Sequence, residues 1–242
     1  WKDAARMYRS LTSLHMSTAS LFINRIRLGA AALVIASVLI LAAGLIQPSL
    51  AIGDSDAFAQ AISSPAYPAS KLIFTIALAL YSCSAISIYK LLSYTRDHRP
   101  AFWAMVLSVI GVGLSMPALG IKSFVYPMLG EMFLNGQPDV MRMYFSLNDF
   151  PYNLILGAGG YLVIASLTIF GWVIWHNRGL SLPAILLFLA GWIGLTLTGD
   201  DLPRVAATAF GALTALGGVG LGLSLWNQVS VQFEAGMDRS SS

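Results

Sequence analysis

The chain has 242 residues, of which 57% are hydrophobic and only 10% charged, and its formal net charge is +3. Soluble domains carry about 25% charged residues, so a soluble fold would have to bury apolar runs for which a chain of this length has no room. The basic residues form no aromatic-interleaved patch of the kind that follows a nucleic-acid backbone, and a single cysteine, Cys83, excludes an intrachain disulfide.

In chain order, Trp1–Ile23 comes first. Ala4, Met7, Tyr8, Leu11, Leu14, Leu21 and Phe22 recur at helical spacing, with Asp3, Arg6, Arg9 and four serines mainly on the other face. The pattern predicts an amphipathic helix over 1–24 that lies along the cytoplasmic surface of the bilayer. Six stretches without Asp, Glu, Lys or Arg follow: Leu28–Gly53, Leu72–Tyr89, Pro100–Ile121, Phe150–Asn177, Gly179–Gly199 and Val205–Phe233. Crossing a hydrocarbon layer about 30 Å thick takes roughly 20 helical residues. The expected fold is therefore all-α, a polytopic transmembrane helix bundle filling 25–229. Its six spans fall at about 28–50, 70–92, 101–121, 153–176, 183–199 and 204–227, and 230–242 forms a polar cytoplasmic tail.

Arg25 and Arg27 before the first apolar run, with Ala57-Phe58-Ala59 after it, invite comparison with a cleaved signal peptide. The run is too long for a usual h-region, and 24 residues of helical pattern precede it, so an uncleaved span is the expectation. The connectors Ser93–Pro100, Asn177–Pro183 and Gly199–Arg204 are short, which makes successive spans antiparallel neighbours. Lys122–Asp149 is the long one. Its aromatics Phe124, Tyr126, Phe133, Tyr144 and Phe145 suit the headgroup level. Gly136-Gln137-Pro138-Asp139 divides it into two short surface helices between spans three and four.

Of the 14 Lys and Arg residues, ten fall on one side: Lys2, Arg6, Arg9, Arg25, Arg27, Lys90, Arg96, Arg99, Arg178 and Arg239. The other side has Lys71, Lys122, Arg142 and Arg204. By the positive-inside rule both termini are cytoplasmic, and the expected location is a plasma membrane of the bacterial inner-membrane type.

No charge falls at mid-span, which argues against proton- or sodium-coupled transport. Lys71, Lys90 and Lys122 are at expected span ends, where they can snorkel. Ser82, Ser84, Ser87, Ser166 and Thr168 read as hydroxyls bonded within or between helices. His15, His98 and His176 do not pair across the membrane, so no metal or haem site is expected. Met128, Met132, Met141 and Met143 read as gap-fillers under aromatic helices rather than as a copper site. Polar candidates on the outer face are Asp149, Asp200, Asp201 and Arg204, where a carboxylate pair can share a proton or hold a cation, although turn capping by Asp201 accounts for them as well.

Small residues are abundant. Gly218 and Gly222 form a GxxxG pair, Gly211 and Ala215 a second small pair, and Gly111, Gly157 and Gly160 mark spans three and four. Such residues let helix backbones approach closely in lipid, so these seven are the expected helix-packing interface. The layout of a basic amphipathic lead, six charge-free spans and stretches such as Arg27–Gln47 (RLGAAALVIASVLILAAGLIQ) resembles uncharacterised six-helix bacterial membrane families known only as domains of unknown function. That resemblance carries no functional residue over. The leading expectation is a non-catalytic accessory or scaffold subunit of a larger membrane assembly. Its partners would be lipids and other membrane subunits rather than nucleic acid. No cofactor is required, and the smooth helix faces suit lipid, quinone or pigment. The alternatives are a facilitator for a small neutral or apolar solute and a lipid-modifying enzyme using the outer carboxylates.

Overall fold

A computed structural model describes residues 2–50, 53–148, 152–177, 180–198 and 204–240, with side chains described over 23–50, 53–146, 157–177, 180–197 and 204–228. Asp149, Asp200 and Asp201 lie outside these residues. Nine α-helices make up the described chain: α1 (Lys2–Ile46), α2 (Ser55–Ser63), α3 (Ala66–Leu92), α4 (His98–Gly120), α5 (Tyr126–Leu134), α6 (Val140–Asn148), α7 (Tyr152–Asn177), α8 (Leu182–Thr198) and α9 (Arg204–Ser240). There is no strand among the described residues.

Five stretches are long and apolar enough to cross a membrane: Ile23–Ile46, Ala66–Leu92, His98–Leu134, Gly157–Asn177 and Arg204–Gln228. The expectation of six spans is thus met five times. The remaining helix, α8, is apolar but has 17 residues, about 26 Å at 1.5 Å per residue, a little less than the hydrocarbon thickness. Two expected boundaries have no counterpart in the backbone. Helix α1 runs unbroken through residue 24, and α9 continues through residue 230 to Ser240.

Six helices form a closed ring. α1 packs on α3, α3 on α4, α4 on α7, α7 on α8, α8 on α9, and α9 returns to α1. Small residues permit the tightest crossings. A Cβ on Gly111 would lie 2.7 Å from the Gly159 carbonyl oxygen, so α4 and α7 touch through their backbones. Between α8 and α9, a Cβ on Gly217 would lie 2.6 Å from the Ala184 carbonyl oxygen. Gly218 and Gly222 face α1, the first against Ser37 and the second 2.6 Å from Val34 once a Cβ is added. Gly211 stands in ordinary contact with Leu41 of α1, and Ala215 is buried. Without a hydrophobic drive between helices in lipid, this close approach supplies the dispersion contact that holds them.

Aromatic side chains fill the centre of the ring. Tyr81 of α3 meets Phe188 of α8 at 5.8 Å and Trp192 of α8 at 6.0 Å between ring centroids, and Phe74 meets Trp192 at 6.0 Å. α3 and α8 are opposite members of the ring, so these contacts bridge its middle. The outside is apolar too: Ile35, Val38, Ile76, Ile110, Leu114, Leu186, Leu216 and Leu223 are exposed. An apolar surface around a packed interior is the arrangement a bilayer selects.

A small cap covers the end of the ring where α1 finishes and α3 begins. Gly53, at φ 110°, turns the chain, and Asp54 caps α2 by accepting from the amides of Asp56 and Ala57 at 3.1 Å. α2 packs on α5, and α5 on α6. Phe58, Ile62, Tyr67, Tyr126, Leu129, Met141 and Tyr144 form this second core, with Tyr144 4.7 Å from Phe58 and 4.8 Å from Tyr126. α5 is not a separate surface element. It continues α4 through a π-helical turn, Ile121–Val125, in which Tyr126 N–H donates to the Ile121 carbonyl five residues back. Pro127 lacks the amide that would bond Ser123 in an α register, and one widened turn absorbs the loss. α5 then ends on Gly136 at φ 85°, where Gln137 N–H bonds Met132 O at 3.2 Å and Gly136 N–H bonds Phe133 O at 3.0 Å, the paired bonds of a left-handed C-terminus.

The α4–α7 crossing gives a direct test. Gly159→Ala should lower the melting temperature of the detergent-solubilised protein, by an amount equivalent to about 1–3 kcal/mol of overpacking. Gly113→Ala, where nothing lies within 4 Å of the added Cβ, should leave it unchanged or slightly raised. Equal losses would show that the crossing does not limit stability.

A candidate ligand cavity at the capped end

Above the aromatic centre the ring does not fill. A partly open cavity of about 190 Å³ lies at the capped end, and every ring helix contributes to its wall. Its depth follows helical spacing. On α3, Lys71, Phe74 and Leu78 lie on one face at i, i+3, i+7. At 1.5 Å per residue, Phe74 is roughly 4.5 Å and Leu78 roughly 10 Å deeper than Lys71. On α1 the series Gln47, Gly44, Ile40 steps inward in the same way, and on α8 Thr196 stands one turn above Trp192. The capped end of the wall is therefore polar and cationic, and the deep end aromatic and aliphatic.

Lys71 is only 6% exposed. Its Nζ donates to Gln47 Oε1 at 3.2 Å and stands 5.1 Å over the Tyr67 ring, so a neighbouring helix and a cation–π contact position it. The side chain points into the bundle instead of snorkelling outward. Lys122 reaches the cavity wall from the π-helical turn. Among the described lining residues there is no Asp or Glu. Trp192 is 3% exposed, and its indole Nε1 has no hydrogen-bond partner. A buried donor left unmade costs about 1–3 kcal/mol.

The cavity is closed below. Tyr81 and Phe188 lie beneath Trp192 and are almost fully buried. Tyr81 Oη is buried there beside the Ser108 and Ser166 hydroxyls. Several other hydroxyls bond backbone. Ser84, Ser87 and Thr168 donate to carbonyls one turn back, and Ser166 Oγ donates across to Ala104 O of α4 at 2.6 Å.

The residues singled out from sequence are spread through the molecule. Gly157 and Gly160 are on the cavity wall. A Cβ on Gly157 would meet only Tyr161 of its own helix, at 3.5 Å, while one on Gly160 would come 2.7 Å from Thr196. Arg204 Nη2 donates to Leu45 O at 2.7 Å, closing the C-terminal end of α1 from the start of α9. His98 and His176 are both at the far end of the ring, where Asn177 Nδ2 bonds Asp97 Oδ2 at 3.0 Å. Met141 is buried in the cap, whereas Met128 and Met143 are exposed. No group of three or more His, Cys, Asp or Glu able to hold a metal ion occurs among the described residues.

Lys71 and Lys122 were the residues that sequence reasoning passed over as site candidates. The available signal was spacing: Lys71 shares a helix face with Phe74 and Leu78, and Lys122 interrupts an apolar run that extends to Leu134. The fold and cavity together define a helical bundle of membrane-integral type with an internal cavity at its capped end. Comparison with protein-family models, with curated proteins and with solved structures found no match.

Thiol labelling tests the cavity's extent. With the exposed native thiol removed as Cys83→Ser, Thr196→Cys should react with a membrane-impermeant methanethiosulfonate at least about tenfold faster than Ser108→Cys, because reaction needs access as well as thiolate. Equal rates would mean that the aromatic floor does not close the cavity.

Proposed function

We propose that this protein is a six-span, non-catalytic membrane protein, with α8 as the sixth span, that binds a small molecule in the cavity at the capped end. The observation that carries the reading is the shape of the interior: all six ring helices wall one cavity, and aromatic residues close it below. Functional ligand sites are concave, mostly apolar and fitted with a few directed polar groups, and this wall has that composition. A one-ended cavity suits binding better than an open path, so facilitated passage would require the Tyr81–Phe188–Trp192 contact to part. By the distribution of basic residues we assign both termini to the cytoplasmic side of a bacterial-type inner membrane, which turns the cap and cavity toward the opposite side. A scaffold role in a larger assembly is the competing reading, supported by the charge-free spans, the small-residue helix faces, the amphipathic pattern of the N-terminal segment and the aromatic outer segment.

Native mass spectrometry of the protein, extracted in mild detergent from its own membranes, separates the two. The wild type should retain a small molecule. Gly157→Leu, whose new side chain has room to enter the cavity, should lose it while still migrating as a folded protein. A wild-type spectrum without any small molecule but with a stoichiometric protein subunit would overturn the binding reading in favour of the scaffold.

A further inference from the structure

We infer that the ligand is a small neutral, mainly apolar molecule built on a single ring, an inference that rests on reading the cavity as a binding site. The charged groups on the wall are already engaged by the protein. Lys71 Nζ donates to Gln47 Oε1 at 3.2 Å and stands 5.1 Å over the Tyr67 ring, and Lys122 is likewise held by interactions within the chain. What the wall offers a ligand is therefore its uncharged part. Ile40, Phe74, Leu78, Leu119 and Trp192 form that part, from four helices and below the level of the lysines. An ion moved there would lose its hydration with no counter-charge beside it, whereas a neutral body loses only contact with water. Size limits the body. An apolar cavity near 150 Å³ stays dry and holds about one benzene, and this one measures about 190 Å³, enough for one substituted ring and too small for a long acyl chain. Two aromatic residues favour a ring over a short chain of equal area. Phe74 and Trp192 both line the cavity, 6.0 Å apart between ring centroids, and a ring among them gains aromatic pairing beyond its burial.

Equilibrium dialysis of the purified full chain in detergent, with labelled toluene in sealed cells, tests the assignment. Gly157→Leu at the same detergent concentration subtracts uptake by the micelle. Toluene should bind the wild type saturably, with benzoate and benzylamine at least about tenfold weaker as competitors, since each brings a charge to an uncharged chamber. Leu119→Ala, which enlarges the chamber, should shift the preference from toluene toward naphthalene at least about threefold. Benzoate or benzylamine equal to toluene or better would overturn the neutral class. Decane or palmitate competing far better than toluene would overturn the ring in favour of a chain drawn from the bilayer. A preference unchanged in Leu119→Ala would overturn the assignment of the ring to this chamber. If toluene does not saturate, yet Gly157→Leu still loses the molecule retained from native membranes, the neutral ring is wrong and the cavity reading stands. If Gly157→Leu matches the wild type in both measurements, both fall.

Discussion

The contact on which this architecture depends is the one across the middle of the ring, Tyr81 of α3 against Phe188 and Trp192 of α8. Helices pack with axes about 8–10 Å apart, and six of them in a closed circuit enclose more space than aliphatic side chains can fill from the perimeter. Large rings from opposite walls occupy that space at a single level. Towards the far end the interior is dense, with Leu33, Leu167 and Phe170 essentially inaccessible. Towards the cap the aromatic filling stops at Trp192 and Phe74, and the wall residues shrink to Gly44, Ala43, Ala118, Gly157 and Gly160. The cavity is the remainder of an interior that the aromatic contact fills only in part.

Perimeter and centre thus use opposite side-chain sizes for one purpose. Around the circuit, Gly111 with Gly159, Gly217 with Ala184, and Gly222 with Val34 bring helices close enough for backbone contact. In lipid that packing replaces the hydrophobic drive available to soluble bundles. In the centre, where no two backbones can meet, only the largest side chains span the gap. The Ser84, Ser87 and Ser166 hydroxyls fit the same economy of space: they bond carbonyls of their own or an adjacent helix and so add little polar surface to the interior.

Much of this was legible in the sequence, and the misses have physical causes. The apolar runs identified the long helices because crossing hydrocarbon imposes a length and a composition. Gly136-Gln137-Pro138-Asp139 marked a turn through backbone chemistry that acts within a few residues. Pro127 does not end its helix: the chain passes it through a widened turn, because a lost amide can be absorbed by changing register as well as by stopping. Lys71 was misplaced for a different reason. Position along a span sets depth, and depth alone suggested a side chain reaching for the headgroups. Whether a residue faces lipid or interior depends on azimuth, and azimuth depends on which helices become neighbours. The closure of α9 onto α1 joins segments more than 150 residues apart, as the Arg204–Leu45 hydrogen bond does, and no local pattern encodes it. A cavity walled by six helices could therefore not be read from any one of them.

The π-helical turn has a consequence for how this protein can change over time. One residue in an α-helix corresponds to a rotation of about 100° around the axis. The widened turn at Ile121–Val125 absorbs one extra residue between a stretch phased to the ring and a stretch phased to the cap. Deleting a single residue there would restore regular winding and leave Gly130, now 2.8 Å from the Ala59 carbonyl once a Cβ is added, still turned toward α2. The turn therefore uncouples chain length from facing: between ring and cap this helix can gain or lose one residue while both halves keep their partners.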